Sequence, residues 1–142
     1  MESDPRCAAH SFRHCSGVAV TELQKLKNQN FPRRLGFALN GLQHMARNER
    51  SFRVHLLATG FVILFCVLAR PPLVWCSLLL FLCGWVLALE AVNSALELLA
   101  DALHPGFSEA VGLAKDCLAG AVLLSAVVSV LVFGFCVWSV FG

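Results

Sequence analysis

Charge is the scarcest thing in this chain. Only 14% of its 142 residues are Asp, Glu, Lys or Arg, against 58% hydrophobic, a balance too apolar for a soluble domain of this size. From Leu73 to Leu89, and again from Cys117 to Gly142, there is no charged residue at all. Stretches of that kind read as membrane crossings. Other absences narrow the field. No G-x4-G-K-[ST] loop occurs, so any bound nucleotide is not held by a P-loop. The repeated Asp motif of a CDP-alcohol phosphotransferase is missing too. The first apolar run begins only after residue 50, so no cleavable signal peptide is expected, and nothing suggests a nucleic-acid partner.

What is present is an all-α membrane pattern with three transmembrane helices. The two charge-free stretches supply the second and third. The first is Val54 to Ala69, which contains His55. Its sixteen positions give about 24 Å at about 1.5 Å per residue, enough to cross if Arg53 and Arg70 snorkel at its ends. The expected spans are therefore about 54–69, 73–90 continuing as helix to 103, and 117–141. Pro71-Pro72 leaves room only for a tight turn, which makes the first two spans antiparallel neighbours. The stop of the long second helix is expected at His104-Pro105-Gly106.

Nine of the eleven Lys and Arg residues lie within residues 1–53. Basic residues gather on the cytoplasmic side of a membrane, so the amino-terminus is expected inside and the carboxy-terminus outside. Residues 1–30 show no periodicity and read as a poorly ordered extension. Within it Cys7, His10, His14 and Cys15 have a spacing that could hold zinc, although few apolar residues are available to close such a site. From residue 33 to 50, Leu35, Leu39, Leu42, Met45 and Ala46 recur at helical spacing with basic and polar residues on other faces. That pattern predicts an amphipathic helix lying along the membrane surface, or, more plainly, a solvated linker. Cys66, Cys76, Cys83 and Cys136 fall inside spans, where they act as small apolar residues. Cys117, Ala121, Ser125 and Ser129 repeat every four residues, a stripe suited to close helix packing.

The informative stretch is LEAVNSALELLAD, residues 89–101, which brings three acids and an amide onto a helix that has just crossed a membrane. At about 100° per residue, Glu90, Asn93, Glu97 and Asp101 fall within about 80° of one another. They share one face. Carboxylates at a bilayer boundary are costly, so something cationic should meet them. The topology brings Glu49, the Glu90 face and Lys115-Asp116 to the same membrane surface. Carboxylates without soft ligands suit Mg²⁺, which takes one or two of them and fills its shell with phosphate oxygens and water. Lysine suits phosphate. Together they point to phosphoryl transfer, with one carboxylate available as general base.

At these residues the sequence resembles the small prokaryotic integral-membrane lipid kinases, diacylglycerol kinase and undecaprenol kinase. The matching pieces are NERSFRVH at 48–55, EAVNSALELLAD at 90–101 and AKDCLAGAV at 114–122, and the likeness covers about residues 31–142. The resemblance implies a homotrimer of three-span subunits with a surface helix, moving the γ-phosphate of MgATP to a lipid alcohol in the bacterial inner membrane. It implies Glu90 as catalytic base with Asn93 beside it, Glu49 and Glu97 as metal ligands, and Lys115 with Asp116 handling phosphate. Arg33, Gly36 and Phe37 fall where such a surface helix meets nucleotide. Asp101 and Arg53 take supporting places. Asn40 stands where some members carry a basic residue, and Ser108-Glu109 where many carry a histidine. His55 is more like the undecaprenol kinase branch. The competing reading is a non-catalytic membrane oligomer whose acid stripe pairs with Arg47, Arg50 or Lys115.

Overall fold

The structure, a computed structural model, describes residues 30–103, 106 and 108–142. Cys7, His10, His14 and Cys15, and the extension that holds them, lie outside the described residues, as do His104 and Pro105. Four helices make up the described chain: α1 (Phe31–Asn48), α2 (Arg50–Ala69), α3 (Leu73–Leu103) and α4 (Glu109–Phe141). The last three are long and apolar enough to cross a membrane.

The chain divides into two compact units, residues 1–41 and 42–142, with the division inside α1. The described part of the first unit is the opening of α1. There the Asn30 carbonyl accepts from the backbone N–H groups of Arg33 at 3.0 Å and Arg34 at 3.3 Å. Pro32 fits this first turn because the N–H it lacks would have had no helical acceptor. Arg33, Gly36 and Phe37 all sit on this segment.

The second unit holds everything else. A single residue, Glu49, both ends α1 and starts α2. Its N–H donates to the Met45 carbonyl at 2.8 Å and its carbonyl accepts from Arg53 at 3.3 Å, while its own backbone is extended (φ −93°, ψ 118°). Extended backbone between two helical segments turns the chain, so Glu49 is held at a corner.

α2 closes on Arg70, whose left-handed conformation (φ 47°, ψ 52°) lets its N–H reach the Cys66 carbonyl at 3.2 Å. Pro71 and Pro72 cannot continue a helix behind it. The Pro72 carbonyl then accepts from Trp75 at 2.9 Å and Cys76 at 3.3 Å, opening α3. The expected hairpin is present.

α3 is the central helix, packed against both α2 and α4. Farther from its partners, α2 meets α4 through Phe61 and Phe65, which flank Phe133 at ring-centroid distances of 6.0 and 4.9 Å. The apolar residues buried in this unit are few: Phe52, Leu79, Val86, Val122 and Cys136. Large side chains such as Leu57, Trp138 and Phe141 face outward. In lipid an outward leucine carries no penalty, so a thin core is what a membrane bundle of this size needs.

The helices outrun the apolar stretches that mark them in sequence. α3 has 31 residues, about 47 Å at about 1.5 Å per residue, well beyond the roughly 30 Å of hydrocarbon. α4 starts at Glu109 rather than at Cys117, with Ser108 extended in front of it and its carbonyl accepting from Gly112 at 3.0 Å. Charged residues do not stop a helix; they only stop it being lipid-clad, so Lys115 and Asp116 lie within α4. Along the small-residue stripe, the Ser125 hydroxyl donates to the Ala121 carbonyl at 2.9 Å and Ser129 to Ser125 at 2.8 Å. These hydroxyls are satisfied inside their own helix, as serines in apolar helices are, which leaves packing as the stripe's role.

Candidate active site at the polar end of the bundle

The polar residues collect at the end of the bundle opposite the Arg70-Pro71-Pro72 turn. Three elements build this end: the Glu49 corner, the second half of α3, and the first turns of α4. α3 is decisive because a helix repeats every 3.6 residues, so Glu90, Asn93, Glu97 and Asp101 keep to one side of it.

That side is turned inward. Glu90 is 4% exposed, Asn93 8% and Ser94 3%. A carboxyl group this deep normally finds a hydrogen-bonded or cationic partner. Among the described residues, no side chain hydrogen-bonds Glu90 or forms an ion pair with it. The charged and titratable groups whose charge reaches it are His55, Glu97 and Glu49.

One turn further along α3, the Asn93 amide donates through Nδ2 to Glu97 Oε1 at 3.1 Å. This fixes the Glu97 carboxylate and the orientation of the amide. Asn93 Oδ1 is then left buried without a partner, an acceptor that costs stability unless a ligand meets it. At the exposed end of the face, Lys115 Nζ donates to Asp101 Oδ1, joining α4 to α3. Asp116 is exposed beside it. Arg53 makes no pair with the acids; its Nη1 donates to the Arg47 carbonyl at 2.7 Å and so caps the end of α1. The ion-pair network of the competing, non-catalytic reading thus reduces, among the described residues, to one pair.

The donor set bears on metal binding. Among the described residues no three His, Cys, Asp or Glu side chains come together as a closed metal cluster. Glu49 and Glu97 offer oxygen ligands only, and the orphaned Asn93 Oδ1 is a further oxygen nearby. That chemistry fits Mg²⁺, which is content with one or two protein carboxylates when phosphate oxygens complete its shell.

Beside the acids a cleft of about 350 Å³ opens between α2, α3 and α4, lined by His55, Thr59, Val62, Val86, Ser129 and Phe133 among others. Its walls are apolar apart from His55 and two hydroxyls, and each hydroxyl is bonded to its own helix. Two residues of this region were not singled out as functional from sequence. Ser94 shares the Glu90 side at about 40° on the helical wheel, but an uncharged serine gives no signal of its own. In the sequence His55 bears only on which branch of the family the chain resembles, and no role at the site follows from it.

The chain is similar to known proteins. Residues 36–137 match a family model described as prokaryotic diacylglycerol kinase. The chain is 33% identical over 99 residues to a diacylglycerol kinase of Synechocystis sp., a match covering 69% of this chain and 57% of that relative. It is 29% identical over 107 residues to the diacylglycerol kinase of Escherichia coli K12, covering 75% and 88% of the two. It is also 30% identical over 92 residues to the undecaprenol kinase of Bacillus subtilis, covering 65% and 75%.

Proposed function

Because this chain belongs to the prokaryotic diacylglycerol kinase family of membrane lipid kinases, we propose that it transfers the γ-phosphate of ATP to the hydroxyl of a membrane lipid alcohol, diacylglycerol or undecaprenol. The reaction takes place at the cytoplasmic face of a bacterial inner membrane, in a homotrimer of which this chain is one subunit. The observation that carries the reading is Glu90, a residue only 4% exposed whose carboxylate has no cation bonded to it among the described residues. Structure alone gives no reason to keep such a group, whereas a general base needs it unencumbered.

In this reading Glu90 accepts the proton of the lipid hydroxyl as the oxygen attacks the γ-phosphorus. A new O–P bond forms, the bond from the γ-phosphorus to the β,γ-bridging oxygen breaks, and ADP departs with that electron pair. Asn93 holds Glu97 in place through its amide and keeps a free carbonyl oxygen towards the site. Glu49 and Glu97 would hold Mg²⁺, whose contribution when bound is to neutralise charge on the phosphate oxygens. Lys115 lends positive charge to the phosphates, and Asp101 and Asp116 orient it. Arg33, Gly36 and Phe37 on the opening of α1, taken as a helix at the membrane surface, contact the nucleotide. The amino-terminus is inside and the carboxy-terminus outside, as the basic residues of the first 53 positions indicate.

The test is transfer of ³²P from γ-labelled ATP to diacylglycerol and to undecaprenol in matched mixed micelles, with and without Mg²⁺. A labelled lipid that requires the metal supports the reading, and the faster acceptor identifies the substrate. No label on either lipid from folded protein removes it.

A further inference from the structure

His55 is the feature the proposed chemistry leaves unused. It lies one turn into α2, on the side that also presents Thr59 and Val62 to the three-helix cleft. From α3 the same cleft receives Val86, and Val86 stands one helical turn before Glu90, both of them turned inward at 5% and 4% exposure. Positions four apart on a helix share a face. The imidazole and the Glu90 carboxylate are therefore carried on the facing helices α2 and α3 at the polar end of the cleft, with no hydrogen bond or ion pair between them.

The surroundings of Glu90 sharpen the point. The ionisable groups whose charge acts on it are His55 from α2, Glu49 from the corner before α2, and Glu97 from α3 itself. Two of these three are acids and repel it. Lys115 is engaged with Asp101 and Arg53 with a backbone carbonyl. Among the described residues His55 is the one of these groups that can carry the opposite charge. A polar group inside an apolar helix is costly and finds a partner across the helix interface.

We propose that His55 is a positioning residue for the phosphoryl transfer: from the α2 side of the α2–α3 interface its imidazole, without bonding the Glu90 carboxylate, draws it by charge into the orientation that takes the lipid proton. The proposal rests on the lipid kinase reading given above. It follows the general design in which a reacting side chain is oriented by a further group that does not itself touch the substrate. Glu90 keeps the proton-transfer step; His55 acts only through it.

The experiment compares wild type, His55→Ala and His55→Gln in the mixed-micelle assay, with assembly checked by gel filtration and light scattering. His55→Ala should lower kcat by about 10- to 100-fold, the scale on which supporting partners of reacting groups count, with KM for MgATP unchanged. Free imidazole added to His55→Ala should restore part of kcat, because it can re-enter the space beside the cleft, and a packing role would show no such response. His55→Gln keeps the bulk without the charge; it should show the same loss and no rescue, and it serves where His55→Ala does not assemble. Full activity in either variant, or a loss confined to KM, overturns the proposal. So does an assembled His55→Ala enzyme that imidazole cannot revive. Inactive wild type removes the kinase reading and this inference with it, whereas active wild type with equally active variants removes this inference alone.

Discussion

Lys115 on α4 is paired with Asp101 on α3 across fourteen residues of sequence, and this is the link that joins the two helices at the polar end. Asp101 is largely exposed and Lys115 partly so, which places the pair in solvent of high dielectric.

An exposed ion pair contributes about 0 to 1 kcal/mol, so Asp101→Asn should leave thermal unfolding in detergent almost unchanged. Lys115 has a second task in the proposed chemistry. Lys115→Met should raise KM for ATP by about tenfold or more, the cost of roughly 1.4 kcal/mol of phosphate attraction. If both variants lose stability equally and neither changes KM, the lysine is a strut.

Glu97 is held by the Asn93 amide at 3.1 Å and is proposed to bind Mg²⁺. Glu97→Gln should raise the Mg²⁺ concentration needed for half-maximal activity by about 10- to 100-fold while the oligomer stays intact. A structural stripe predicts the reverse, a disturbed oligomer with no change in metal dependence. Sedimentation and a Mg²⁺ titration on the same preparation separate the two.

Arg70 is the one described non-glycine residue with positive φ. A left-handed conformation costs an L-residue about 1 to 2 kcal/mol, and glycine escapes most of it. Arg70→Gly should therefore raise stability by about 1 kcal/mol without altering activity, since the turn lies at the far end of the bundle from Glu90. Denaturant unfolding in detergent measures the gain; a loss would mean that the Arg70 side chain anchors the turn more strongly than its backbone strains it.

Much of the fold can be read directly from the sequence because lipid makes simple demands. Long charge-free stretches give the second and third crossing helices, a shorter apolar run flanked by Arg53 and Arg70 gives the first, and Pro71-Pro72 gives the turn between the first two. The helix ends are less legible. α4 begins before Lys115 and Asp116 because hydropathy reports where lipid begins, not where hydrogen bonding does. The candidate site was legible where residues share one helix: Glu90, Asn93 and Glu97 declare themselves by spacing. It was not legible where partners come from different helices. That Lys115, rather than Arg47 or Arg50, pairs with the acid stripe and does so at Asp101, that Glu90 stays solitary, and that His55 lines the cleft all depend on how α2 and α4 pack on α3, which no single-helix pattern encodes.

Glu90→Gln bears most directly on the central claim, because it removes the base while preserving the shape of a side chain that is 4% exposed. The variant should assemble like wild type and transfer ³²P to lipid at a rate lower by about 100-fold or more, the usual contribution of a general base. A variant of intact assembly that phosphorylates lipid at a near-normal rate would contradict it.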